Sequence, residues 1–171
     1  MDILAFLERH LDFIGRFYDS AASVFETTKR KIEANEEPFV SKHPPGEHDG
    51  PEYQSEWSEA DACLRVIGQS ALGLLAKAIH DYLREFIMRE VETTTDRELS
   101  KILEPYKTKR GSTFETYAAF LVQNTGFSWA SSPATQNEIE QIILSRNDFN
   151  HDSTIEGVWP RQSASPFSEI I

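Results

Sequence analysis

Arg146 and His151, with Asn147 directly after the arginine, stand together in the stretch SRNDFNHD. Arginine carries a permanent charge and several donors suited to phosphate oxygens, whereas histidine exchanges a proton near neutral pH. The pair therefore suits phosphodiester chemistry. In RNA the 2′-hydroxyl attacks the neighbouring phosphate, so a site needs a proton-transfer group and a stabiliser of developing charge, with no mandatory metal. Spacing imposes a condition. Five steps along an α-helix turn about 500°, which leaves Arg146 and His151 roughly 140° apart around the axis. The two share a site only if the helix ends near Phe149 or Asn150, or if a second chain completes the pocket.

Other chemistry-bearing residues carry less. His43, Glu47, His48 and Asp49 in HPPGEHDG are metal-capable side chains in a turn-rich loop, but clustering alone fixes no ligand geometry. Cys63, the single cysteine, reads as a small residue near an apolar stripe, with no base beside it in sequence. His10 and His80 fall inside long helical patterns, where structural roles are expected. The chain has no Gly-rich phosphate loop, nucleophile elbow or paired-cysteine metal motif, and no cofactor or metal is expected.

The elements that must position these residues are helical. From Asp2 to about Asn35, Ile3, Leu7, Leu11, Ile14, Tyr18, Ala22, Phe25 and Ile32 trace one stripe of a long amphipathic helix. Prolines and glycines then mark an irregular loop at about 36–57. Ser58, followed by Glu59 and Asp61, has the character of a cap and acidic first turn, and the stripe from Leu64 to Phe86 extends a second long helix to about Val91. Gly68 and Gly73 within it suggest close approach of a neighbouring helix. A short helix is expected from Thr95 or Asp96 to just before Pro105, and a third substantial helix from the STFETYAAF segment, with Gly126 beyond its end. The last helix carries Ile139, Ile142 and Ile143 on its buried side, with Ser132 as N-cap and Pro133 at the first helical position. The expected fold is all-α: a helical bundle of four main helices and a short extra one over 1–156, then an extended C-terminal tail over 157–171, with Trp159 and Phe167 as anchors.

Composition agrees with one globular domain. Of the 171 residues, 39% are apolar and 26% charged, and no apolar run looks long enough to span a membrane. The N-terminus lacks a signal pattern, and one cysteine fits a reducing compartment, so the cytoplasm is expected. The formal charge of −11 argues against general affinity for nucleic acid. Its distribution is uneven. Residues 33–61 hold nine acids against one lysine, whereas 97–110 reverses the sign with Arg97, Lys101, Lys107, Lys109 and Arg110 against Glu98 and Glu104.

The stretch RNDFNH, late in a helical pattern, resembles the R-x(4-6)-H motif of HEPN-domain proteins, in which a polar residue commonly follows the arginine. The resemblance implies an all-α, often dimeric fold and a metal-independent endoribonuclease, of the kind used as a toxin in toxin-antitoxin or defence systems, paired with a nucleotidyltransferase-type antitoxin. It also implies roles: Arg146 as phosphate stabiliser, His151 as proton-transfer residue, and Asn147 as a polar helper. A homodimer acting on RNA follows from the same resemblance. A non-catalytic HEPN-like binding or regulatory subunit, its acidic 33–61 segment docking a basic partner, is the alternative.

Overall fold

The computed structural model describes residues 2–40, 52–108 and 111–151, the last seven by backbone alone. Among these residues five α-helices follow one another: α1 (Ile3–Glu33), α2 (Gln54–Glu90), α3 (Asp96–Leu103), α4 (Thr113–Asn124) and α5 (Gln136–His151). Short 3-10 turns, Glu104–Tyr106 and Trp129–Ser131, follow α3 and α4. Among the described residues there is no strand, and the all-α class with four longer helices and one short one is what the sequence predicts. The tail at 157–171, with Trp159 and Phe167, and residues 41–51 of the acidic loop lie outside the described residues.

Local chemistry explains where the middle helices begin and end. Thr95 caps α3, its hydroxyl accepting a hydrogen bond from the Glu98 amide at 3.3 Å, and the Glu98 carboxylate accepts from the Thr93 and Thr95 hydroxyls. Those two hydroxyls, Thr93 first, hold the Glu98 carboxyl below its usual range. Pro105 then ends the α-helix in a 3-10 turn. At α4, Ser112 and Glu115 form a reciprocal capping box: the Glu115 amide donates to Ser112 Oγ at 3.1 Å and the Ser112 amide donates to Glu115 Oε2 at 2.7 Å. Gly126, at φ 69°, takes the left-handed conformation just past the end of α4.

Three boundaries and one packing expectation need correction. α2 opens at Gln54 rather than at Ser58, because the backbone is already helical before the acidic residues that look like a first turn. α5 opens at Gln136, not at Pro133: Thr135 and Glu138 form the start, with the Thr135 amide donating to Glu138 Oε2 at 2.7 Å and the Glu138 amide donating to Thr135 Oγ1 at 3.2 Å. Ser132 instead closes a local turn, accepting from the Ala134 amide. α1 stops at Glu33, where Asn35 takes a positive φ of 54°. Among the described residues Gly68 and Gly73 mark no close approach, since a Cβ at either meets nothing within 4 Å. α2 is also long and apolar enough to cross a membrane by length and composition alone, with a window of mean hydropathy 1.4 of which 6% is buried.

The chain divides into two compact units, Asp12–Ala71 and the combination of Met1–Leu11 with Leu72–Ile171. In the first of these, Ile14, Ala22 and Ala60 are buried. Lys29 of α1 meets Asp61 of α2 at 2.5 Å, with about four fifths of each side chain shielded, and sits 4.0 Å over the Trp57 ring. Trp57 Nε1 donates to Glu33 at 2.9 Å, and Arg65 donates to the same Asp61 at 2.6 Å. Hydrogen bonds from Lys29 first, then Arg65, hold the Asp61 carboxyl below its ordinary range. A depressed carboxyl stabilises the fold above its unfolded pKa and loses that contribution as pH falls through the lower folded value. Asp61→Asn should therefore cost about 1 to 2 kcal/mol at pH 7. In urea titrations at a series of pH values, the difference from wild type should narrow below about pH 4. A difference that stayed constant into acid would contradict the assignment.

The larger unit has the principal core. Ile87 and Met88 of α2 pack with Leu99 and Leu103 of α3 and with Tyr117, Phe120 and Leu121 of α4, and Leu83, Phe86 and Phe127 close around them. This core fixes the ends of α2, α3 and α4 relative to one another within the unit, and the polar side chains at its margin line the cavities described next.

Candidate functional site

α5 bears the motif singled out by sequence. Its backbone is helical through Phe149 and Asn150 to His151, so the break that would fold Arg146 and His151 together within one chain is not there. On an unbroken helix their positions lie about 140° apart around the axis. The side chains of Arg146, Asn147 and His151 lie outside the described residues, as do His43, Glu47, His48 and Asp49. Among the described residues no three His, Cys, Asp or Glu side chains group as metal ligands.

The structure does bring together a set that sequence reasoning passed over. His80 and Arg84 occur four residues apart on α2, a spacing that places both on one face. With Tyr117 of α4, Asp96 of α3 and Lys107 beyond the 3-10 turn, they line a cavity of about 350 Å³. Leu99 and Leu103 supply its apolar wall, and Ser100, Thr108 and Thr113 add hydroxyls. A Cβ at Gly111, on the rim, would meet the Thr108 hydroxyl and the Glu115 carboxylate, so a larger residue there requires those side chains to shift. A second cavity of about 380 Å³ shares His80, Gly111, Thr113 and Tyr117 with the first and reaches Ile143 of α5.

Its electrostatics are mixed but donor-rich. Asp96 engages Arg84 through Nε at 2.7 Å and one terminal nitrogen at 2.5 Å, occupying two of the five donors that a guanidinium offers. Lys107 pairs with Glu104 at 2.5 Å on the exposed side. His80 Nε2 lies 3.5 Å from the Tyr117 hydroxyl, the long limit of a hydrogen bond, and its Nδ1 is 3.6 Å from Asp81. Burial pushes the Tyr117 phenol up, with the nearby Arg84 charge opposing, so at neutral pH the hydroxyl stays protonated and able to donate. For Asp81, burial pushes upward, but Lys77 and then His80 draw the carboxyl below its usual range. Arg84, Lys107, His80 and Tyr117 thus line one space.

A third cavity, about 300 Å³, is chemically different. Tyr82, Phe86, Phe114, Phe127, Trp129 and Ile139 make it almost wholly apolar. Trp129 Nε1, though buried, makes no hydrogen bond among the described residues. Cys63 is half-buried and lines none of these cavities.

No family model matches this chain, and neither a curated protein nor a solved structure is significantly similar to it.

Proposed function

We propose that this protein is a HEPN-like, metal-independent endoribonuclease that works as a homodimer in the cytoplasm, with a nucleotidyltransferase-type antitoxin as the partner that restrains it. One observation carries this reading: an arginine, a following asparagine and a histidine, Arg146, Asn147 and His151, sit on the last described helix of an all-α fold. Arg146 stabilises charge on the phosphate, His151 moves the proton, and Asn147 orients the pair or the substrate. Because α5 is helical across the motif, the two residues converge only when a second chain contributes.

The test is cleavage of varied single-stranded and structured RNAs by wild type, Arg146→Ala and His151→Ala, all with chelator present. Loss of cleavage by roughly 100-fold or more in both variants, with folding retained, supports the assignment. Equal activity in all three places the chemistry elsewhere. A second reading, a non-catalytic binding subunit, is favoured by the nine acids between residues 33 and 61, which repel RNA and suit a basic protein partner. Wild type that cleaves none of the RNAs supports that reading.

A further inference from the structure

We infer that the cavity between α2, α3 and α4 binds an organic phosphate, with Arg84 and Lys107 holding the phosphoryl oxygens and His80 and Tyr117 facing the organic group. The inference stands apart from the ribonuclease reading, because it uses none of the residues on α5.

Hydrogen-bonding chemistry selects the ligand class. Arg84 and Lys107 are donors only, and His80, Ser100, Thr108 and Thr113 can each donate into the same space. The one carboxylate in the lining is Asp96, already engaged by Arg84. A lining with that surplus of donors matches a ligand with several acceptor oxygens around a negative centre, and a phosphoryl group offers three or four. Arginine's planar fork suits two of those oxygens, while lysine contributes a point charge.

Size and shape exclude a bare ion as the intended occupant. About 350 Å³ falls within the range of small-molecule pockets and far exceeds the room one phosphate needs. Leu99 and Leu103 give an apolar wall, and the His80 and Tyr117 rings, with centroids 5.4 Å apart, form another surface for a sugar or ring. The present ion pairs do not block entry. Asp96 is 74% exposed and the Lys107–Glu104 pair is exposed on both sides, and such pairs contribute little, so a dianion competes for Arg84 and Lys107 at small cost.

Calorimetric titration of the full chain tests this, using inorganic phosphate, a nucleoside 5′-monophosphate, a sugar phosphate and a 2′-O-methyl oligoribonucleotide that resists cleavage. Arg84→Gln and Lys107→Gln should each weaken binding roughly tenfold or more. Arg97→Gln makes the same charge change at an exposed position on α3 outside the lining and should bind like wild type. Circular dichroism checks that each variant remains folded, and Lys107→Gln, on the exposed side, serves if Arg84→Gln does not. Tighter binding of a monophosphate or sugar phosphate than of the oligonucleotide identifies a free metabolite as the source; the reverse order identifies an RNA strand. Binding of inorganic phosphate alone, binding of no probe in the millimolar range, or wild-type affinity in both cavity variants would overturn the inference.

Discussion

Ile87→Ala should lower the unfolding free energy by about 3 to 4 kcal/mol, near the upper part of the range for deleting a large aliphatic side chain from a packed core. Ile87 is 0% exposed and belongs to the cluster formed with Met88, Leu99, Leu103, Tyr117, Phe120 and Leu121. Truncation removes three carbons' worth of burial and leaves a void that neighbours on three helices cannot fill together. Alanine's better helix propensity returns only about 0.4 kcal/mol. Against a typical domain stability of 5 to 15 kcal/mol, the loss is a large fraction of the whole. Leu74, on the same helix but 40% exposed, provides the contrast, and Leu74→Ala should cost about 1 kcal/mol or less. Urea denaturation followed by circular dichroism measures both. If Ile87→Ala and Leu74→Ala shifted the midpoint equally, the burial that distinguishes them would not describe the folded chain in solution.

What the sequence reveals tracks how local each determinant is. The α4 start is legible because Ser112 and Glu115 satisfy each other within one turn and need nothing distant. The α5 start is misread because Ser132 and Pro133 offer a plausible beginning three residues before Thr135 and Glu138 offer a better one, and only the reciprocal bonds decide between them. His80 is missed for a different reason. A histidine in a long helix resembles any structural histidine until Tyr117, thirty-seven positions away, is brought beside it. The partial signal was the spacing of His80 and Arg84, which places a proton carrier and a cation on one helix face, whereas Arg146 and His151 meet that condition on no single straight helix. The acids confirm the same principle: Glu140 is raised by burial and then by Glu115, a coupling between α5 and α4 that sequence separation hides.

Mixing two inactive variants should restore cleavage. On the proposed reading, α5 stays helical across the motif and each site draws Arg146 from one protomer and His151 from the other, so two-fold symmetry makes two reciprocal sites per dimer. Arg146→Ala alone spoils both sites, and so does His151→Ala alone. A mixed dimer differs: one of its sites receives both substitutions and the other receives neither. With equal amounts and random exchange, half the dimers are mixed and half of their sites are intact, so roughly one quarter of wild-type activity should return. Each residue contributes by charge stabilisation or proton transfer worth roughly 100-fold or more, which makes that recovery stand well above the background of either variant. Subunit exchange is ensured by mixing in mild denaturant and dialysing, and cleavage of a labelled RNA is followed with chelator present. A mixture as inactive as its components would place both residues of each site in one chain, which an unbroken α5 does not permit, and would remove the helix geometry from the account of the site. Recovery near one quarter instead makes the dimer itself the catalytic unit, because neither protomer then holds a complete set of groups for the reaction.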